Sequence, residues 1–148
     1  MRITTAVALG ACLFALSCPT VSAREGAPPS SDELARLIKG TWCTPDASGN
    51  GCEGYDTYVD DRNVQACGRQ PGMDGVFRAA STYTIDGNRI CYRVTRSNNA
   101  RVMSAGDRFC ADILRIDDRV QIYRFTDEAK AYTVRRVRGP APCAGGGE

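Results

Sequence analysis

The sequence predicts a mainly β fold, in which an antiparallel meander of about eight strands closes into a small barrel and follows one short helix. Two observations lead to this prediction, and a third indicates an exported, disulfide-stabilised domain. Helical periodicity is confined to a short segment that ends at Gly40. Beyond it, short runs of strand-forming residues alternate with Gly, Asn, Asp and Pro turn signals, without helical patterns between them. Several cysteines lie within those runs, as in disulfide-stabilised exported domains. A small sandwich is the alternative architecture.

The first 23 residues have the pattern of a cleaved secretory signal. Arg2 precedes an apolar run over 6–16, and the small residues 21–23 end the segment. We therefore expect a secreted or periplasmic location. The apolar run is shorter than the about 20 residues of a membrane helix, so no transmembrane segment is predicted. Lipidation at Cys12 is an alternative interpretation of the same segment.

After the signal, the composition indicates one domain between two irregular segments. Gly, Ala, Pro and Ser dominate 24–31, which predicts a flexible linker. The predicted barrel domain spans 32–138, a length that fits one modest core. The Gly-rich segment 139–148 predicts a disordered tail anchored at Cys143. The whole chain has 19 basic and 17 acidic residues, a balance that argues against a nucleic-acid partner. We expect a monomer.

One short amphipathic helix is predicted ahead of the first strand. Ser31 has the position of an N-cap, because Asp32 and Glu33 follow it as first-turn acids. Apolar residues then recur at helical spacing through Ile38, and Gly40 ends the run. The strands that follow are predicted over 41–45, 53–59, 63–67, 76–85, 89–95, 108–116, 119–125 and 131–137.

Strand pairing can be tested by asking whether one register satisfies several residue pairs at once. A two-residue turn at 87–88 places Tyr83 opposite Tyr92 and joins charged and aliphatic pairs in the same register. The next pairing places Cys91 opposite Cys110, with Tyr92 opposite Phe109. The central strands are therefore predicted in a specific register.

Extending the sheet predicts which side chains point inward. A turn at 117–118 places Ile113 opposite Ile122, and the following hairpin places Ile122 opposite Val134. The predicted inner face then contains Phe77, Tyr83, Ile85, Ile90, Tyr92, Val94, Phe109, Ile113, Val120, Ile122, Tyr132 and Val134. The outer face contains Arg89, Arg93, Asp112, Gln121 and Thr133.

The cysteines predict three disulfides. Of the eight cysteines, Cys12 and Cys18 lie in the signal, which leaves an even number in an oxidising compartment. The register predicts a cross-strand bond between Cys91 and Cys110, and short separation favours a second bond. The three expected pairs are Cys91–Cys110, Cys43–Cys52 and Cys67–Cys143. Since the chain has no histidine and no Cys-x-x-Cys motif, we predict no metal site and no cofactor.

Gly40, Thr41 and Trp42 open the first strand directly after the helix. This arrangement resembles the Gly-x-Trp signature of the lipocalin and wider calycin families. In those families the glycine-tryptophan pair lies at the closed end of an eight-stranded barrel, beneath an arginine from the last strand. The resemblance implies that role for Arg136, with Arg135 as the second choice. A shorter chain, the three expected disulfides and a long loop after the fifth strand depart from the family and argue against a deep ligand cavity.

Two groups of side chains are candidates for binding. Inward aromatic residues line a ligand cup in one interpretation and form an ordinary core in the other, which the chain length favours: Tyr83, Tyr92, Phe109 and Tyr132. Clustered guanidinium groups either grip the carboxylates or phosphates of a partner or form a solvated surface: Arg93, Arg96, Arg101 and Arg108.

The sequence offers little support for catalysis. It has no histidine, no Gly-x-Ser-x-Gly motif and no phosphate-binding glycine loop, so we do not expect an enzyme. We expect an exported protein-binding module, such as an inhibitor or immunity protein of the cell envelope or exterior. The alternative is a lipocalin-like carrier or sensor of a small apolar or amphipathic ligand, which requires an internal cavity of roughly 300 Å³ or more.

Overall fold

The computed structural model describes residues 26–69 and 74–143. Within them lie the helix α1 (Ser31–Leu37) and the strands β1 (Gly40–Pro45), β2 (Cys52–Tyr58), β3 (Asn63–Gly68), β4 (Phe77–Asp86), β5 (Arg89–Ser97), β6 (Arg108–Ile116), β7 (Val120–Phe125) and β8 (Tyr132–Val137). Each strand pairs antiparallel with the next, and β8 pairs with β1, so the sheet closes into a barrel. The predicted fold class and strands are confirmed.

Some of the sequence predictions concern residues outside this description. The signal over 1–23, the alternative lipidation at Cys12 and the tail beyond Cys143 all remain predictions. Near the C-terminal end of the described residues, Ala141 is buried and Cys143 is bonded to Cys67. Among the described residues, no helix is long and apolar enough to cross a membrane.

Helix α1 is capped by Ser30, and the predicted cap at Ser31 is wrong. The Ser30 backbone is extended, and its hydroxyl accepts a hydrogen bond from the backbone N–H of Glu33 at 3.3 Å. Ser31 lies in the first turn, where its hydroxyl accepts from the backbone N–H of Gly87 at 2.8 Å. This contact fastens the helix to the β4–β5 turn, so α1 lies across one end of the barrel.

The closed end of the barrel is built around Trp42. Its indole N–H donates to the carbonyl of Ile38 at 2.7 Å, and the guanidinium of Arg136 lies 4.4 Å from the ring centroid. Arg136 also donates to the carbonyls of Leu37 and Lys39. Gly40 has a φ of 106°, and a Cβ there would come within 2.8 Å of the Arg136 guanidinium. Arg136 therefore occupies the position expected from the sequence.

The predicted central register and the three predicted disulfides are confirmed. Tyr83 pairs with Tyr92 across β4 and β5, and Cys91 pairs with Cys110 across β5 and β6. The bonded pairs are Cys43–Cys52, Cys67–Cys143 and Cys91–Cys110. Arg135, the second choice for the tryptophan contact, instead donates to backbone carbonyls over 49–51, in the loop closed by the first disulfide.

The predicted register of β7 is wrong. A bulge at Leu114 and a turn centred on 118–119 place Ile113 opposite Tyr123 instead of Ile122. A one-residue slip turns every side chain of a strand to the other face. Gln121 and Tyr123 therefore point into the barrel, together with Phe125, whereas Val120 and Ile122 point outward.

The helix half of the barrel is filled by a packed core. Side chains from α1 meet inward side chains from the strands at this end, and the buried cluster contains Leu34, Ile38, Trp42, Tyr58, Val64, Tyr83, Ile90, Ile113, Ile116 and Val134. Leu34, Ile38, Ile90 and Ile113 are each 0% exposed. The predicted filled core therefore describes this half of the barrel.

Candidate functional site

The other half of the barrel, which we call the loop half, contains a cavity of about 220 Å³. Four residues of the packed core, Trp42, Tyr58, Val64 and Val134, form its floor. Its wall and mouth contain Thr44, Gly54, Tyr55, Asp56, Ala66, Cys67, Gly68, Phe77, Ser81, Tyr92, Val102, Met103, Phe109, Ala111, Gln121, Tyr123 and Phe125. The barrel is therefore not filled along its whole length.

Aromatic rings form a continuous wall along β5, β6 and β7. Tyr92 stacks on Phe109 at 4.9 Å between ring centroids, and Phe109 meets the edge of Phe125 at 5.8 Å. Phe125 in turn contacts Tyr123 at 5.3 Å in an edge-to-face geometry. Such pairs favour fixed ring positions, so the wall is preorganised around the cavity.

Asp56 places a carboxyl group in the cavity wall. It lies in β2 directly opposite Trp42 and Ala66, two other cavity residues, so its side chain points inward. It has no hydrogen-bond or ion-pair partner among the described residues. Burial raises the pKa of this carboxyl to about 6. The side chain is only partly enclosed because it borders the cavity, yet the surrounding wall keeps most bulk water away from it.

Of the four tyrosines that line the cavity, three have buried phenol groups. The hydroxyls of Tyr58 and Tyr92 are hydrogen-bonded to each other, and Tyr123 faces them from β7. Burial raises the pKa of each of these phenols above its usual value, so all three stay neutral over the physiological pH range. Together with the amide of Gln121, which is 4% exposed, they supply dipoles but no charge.

The loop over 98–107 covers part of the cavity mouth. Val102 and Met103 of this loop line the cavity, although Val102 is 38% exposed. Asn98 holds the loop base by donating to the carbonyl of Val76 at 2.9 Å. Gly106 donates to the carbonyl of Val94 at 2.8 Å, which fastens the other end of the loop to β5. The loop is thus an ordered part of the site.

The structure divides the four predicted ligand-binding aromatics. Tyr92 and Phe109 line the cavity, as the ligand-cup interpretation requires. Tyr83 does not line it, because it packs in the core and its hydroxyl donates to the carbonyl of Asp60 at 2.7 Å. Tyr132 lies beside the mouth, where it stacks on Tyr123 at 5.5 Å and is not among the lining residues.

The four predicted partner-binding arginines lie on the outer surface. Arg93 and Arg108 face each other directly across β5 and β6, as predicted. Arg96 pairs with Ala80 across β4 and β5, and Arg101 lies in the loop at the cavity mouth. All four are exposed, and none forms an ion pair with a described residue.

Sequence reasoning missed several cavity residues. The β2 sequence lacks apolar alternation, so nothing marked Asp56 and Tyr58 as inward-facing. Gln121, Tyr123 and Phe125 were missed because the expected turn assigned β7 to the opposite face. Their signal lay in the aromatic spacing at 123 and 125, which fits an inward face as well as Val120 and Ile122 do.

The described residues contain no group of three or more His, Cys, Asp or Glu side chains that could hold a metal ion. Comparisons of this chain with protein-family models, with curated proteins and with solved structures find no match. The function is therefore inferred from the chemistry of the cavity and of the outer surface.

Proposed function

We propose that this protein is an exported binding protein that holds a small organic ligand in the loop half of its barrel. The observation that carries the proposal is the cavity of about 220 Å³, in which a few polar groups converge on an apolar, aromatic wall. Ligand sites have this composition, because apolar walls provide binding energy and scarce polar groups fix orientation.

The size of the cavity limits the ligand. An engineered apolar cavity of about 150 Å³ holds benzene. A cavity of about 220 Å³ therefore suits a molecule of roughly eight to ten non-hydrogen atoms. This volume is below the roughly 300 Å³ expected from the sequence for a lipocalin-like carrier, so that criterion is not met for larger ligands, and a long lipid or a macrocycle does not fit this site.

The framework supports a carrier or sensor of the lipocalin-like kind. A helix closes one end of the barrel, Trp42 and Arg136 pack together there, and disulfides join neighbouring strands. These features keep the wall rigid while the opposite end has an opening lined by loop residues. The arrangement resembles a small calycin with a shallow site.

Occupancy can be measured through Trp42. It is the single tryptophan of the chain and lies on the cavity floor, so its fluorescence reports a bound molecule. We expect benzyl alcohol, at millimolar concentration, to change the Trp42 emission of the disulfide-bonded protein with saturation. Ala66→Leu should remove this response, because the added side chain enters the cavity.

The matched control is Ala80→Leu, the same enlargement on the outer face of β4, where Ala80 pairs with Gln65. This variant should bind benzyl alcohol like the parent protein. An equal response from the two variants, or no saturable response from the parent to benzyl alcohol, benzylamine or benzoate, would contradict the proposed function.

A second candidate function is binding to an acidic protein partner, as in an inhibitor or immunity protein. The observation that favours it is the direct pairing of Arg93 with Arg108, because like charges opposite each other destabilise a sheet unless something offsets them. Exposed guanidinium groups grip carboxylates bidentately. The arginines at 96 and 101 extend this surface towards the cavity mouth.

This second candidate is tested by capture from cell-envelope extract. We expect one major partner to be retained by the parent protein and lost when Arg93, Arg96 and Arg101 are replaced by alanine. The control variant replaces Arg36, Arg62 and Arg119, which are exposed but lie near the helix end. Unchanged capture by the first variant would rule out the arginine surface.

A further inference from the structure

The charge distribution inside the cavity is one-sided. Among the described lining residues, Asp56 is the only carboxylate, and no lysine or arginine is present. The chain as a whole contains no histidine. A partly buried carboxylate without a cationic or hydrogen-bonding partner is unfavourable in a folded protein, since charge is taken from water without replacement. Asp56 therefore lacks a structural partner among the described residues.

The surroundings of Asp56 are suited to a positive charge. Asp56 pairs with Trp42 of β1, whose ring carries the Arg136 guanidinium, and it lies near the phenols of three tyrosines: Tyr58 of its own strand, Tyr92 of β5 and Tyr123 of β7. Ring faces attract cations through their quadrupoles, most strongly where water is excluded. A carboxylate surrounded by such rings combines the two protein groups that bind organic ammonium ions.

We propose that the cavity selects a small organic cation, an ammonium group attached to an apolar body, with Asp56 as its anionic partner. This inference rests on the proposed function, because it names the ligand class for the same cavity. The ammonium group would lie against Asp56 and the tyrosine rings, and the apolar body would lie against Phe109, Phe125 and Met103.

Other ligand charges fit the same site less well. An anion would lie beside the Asp56 carboxylate, and no described lining residue offers a compensating cation. A neutral alcohol can donate a hydrogen bond to Asp56 but leaves the negative charge of the carboxylate uncompensated. The charged residues around the cavity mouth are of both signs, since Arg101 and Lys130 lie at the same end as Asp107, Asp127 and Glu128, so they do not decide between ligand charges.

The affinity of the cavity for an ammonium ligand should depend on pH. The groups that face Asp56 from the neighbouring strands are neutral phenols, an indole, the methyl of Ala66 and the amide of Gln121, so Asp56 is the group that titrates. An ammonium ligand requires the ionised carboxylate. Its affinity should therefore fall by up to tenfold per unit as the pH drops below about 6.

The experiment is a calorimetric titration of the disulfide-bonded protein with three probes of nearly equal shape: benzylamine, benzyl alcohol and benzoate. At about pH 8 we expect benzylamine to bind about tenfold or more tightly than benzyl alcohol, and benzoate to bind most weakly. Asp56→Asn should abolish the advantage of benzylamine and leave the binding of benzyl alcohol within about threefold of the parent value.

The control variant is Asp127→Asn, which removes the same charge from an exposed position near the mouth and should retain the benzylamine preference. Benzyl alcohol binding by Asp56→Asn shows that this variant is folded. The pH series from about 5 to 8 on the parent protein is an independent measurement that needs no variant.

Two kinds of failure are distinguishable. If the probes bind and Ala66→Leu blocks them, but benzylamine has no advantage or Asp56→Asn retains it, the cation inference is wrong and the cavity function stands. Stronger benzylamine binding at low pH would also overturn the inference. If none of the three probes binds, the proposed function fails together with the inference.

Discussion

The helix half and the loop half of the barrel are made by the same strands but have opposite interiors. In the helix half, Leu34 of α1 and Ile38 at the helix C-cap are 0% exposed, so side chains from outside the sheet fill the space between the strands. The loop half receives Val102 and Met103 from its loop, and space remains between aromatic walls. The interior of an eight-stranded barrel is just wide enough to be filled by side chains or to hold one small ligand, and the two halves of this barrel show these two outcomes.

The two halves of the barrel are expected to contribute differently to folding stability and to binding. Tight packing makes a region sensitive to the loss of single methylene groups, whereas a region that already contains a void relaxes more cheaply. We therefore expect the helix half to contribute most of the folding stability. The loop half holds groups, Asp56 above all, that a stability argument alone does not explain.

The largest expected effect on stability comes from shortening a helix side chain that fills the packed core. Leu34→Ala should lower the free energy of unfolding by about 3 kcal/mol, because a fully buried leucine leaves a cavity in a packed core. Met103→Ala removes a similar volume from the loop half and should cost about 1 kcal/mol or less. Urea unfolding monitored by circular dichroism gives both values. Equal losses would contradict the division into halves.

The second prediction concerns Asp56 and pH. Its folded pKa of about 6 lies above the unfolded value of about 3.9, so the native state binds this proton more tightly, and stability is lost as the pH rises through 6. Asp56→Asn should therefore match the parent protein near pH 4 and exceed its unfolding free energy by about 1–3 kcal/mol near pH 8. Thermal unfolding at the two pH values measures the difference.

The exposed Asp127→Asn serves as the control for this measurement, because it changes the net charge equally without altering the cavity. A parent protein that is more stable than Asp56→Asn near pH 8, with no ligand added, would show that Asp56 has a stabilising partner. In that case Asp56 would be explained by stability, and the proposed difference between the two halves would no longer hold for it.

The smallest expected effect tests the floor between the halves. Gly40→Ala should cost about 1–2 kcal/mol, since the residue has a φ of 106° and its new Cβ would press on Arg136. Gly26→Ala, at a position with open space around it, is the control and should be neutral. A neutral Gly40→Ala in urea unfolding would mean that Arg136 moves freely above Trp42.

The sequence predicted the fold well where independent pairs agreed. Across β4, β5 and β6, one register satisfied tyrosine, cysteine and charged pairs together, and the structure has that register. In β7 the residues Val120, Gln121, Ile122 and Tyr123 can put either face inward, because both faces carry large apolar groups. A bulge at Leu114, which has no local sequence signal, decides between them.

The candidate site was less predictable for a related reason. Tyr92 and Phe109 were found because their strands alternate clearly, but β2 reads as a polar strand. From the sequence alone, an aspartate in such a strand is expected on the outer surface. Its inward position depends on pairing with Trp42 across β1, and that pairing depends on contacts between distant parts of the chain.

The contacts of Arg136 also bear on the order of folding. They join the last strand to the carbonyls of Leu37 and Lys39, which lie 99 and 97 positions earlier in the chain. Contacts between such distant positions slow folding, because a long loop must close before they form. The contacts that close the helix end therefore cannot form before β8 is present. In a chain synthesised from its N-terminus, β8 is the last strand to be made, so the barrel closes only after that strand has pairing partners.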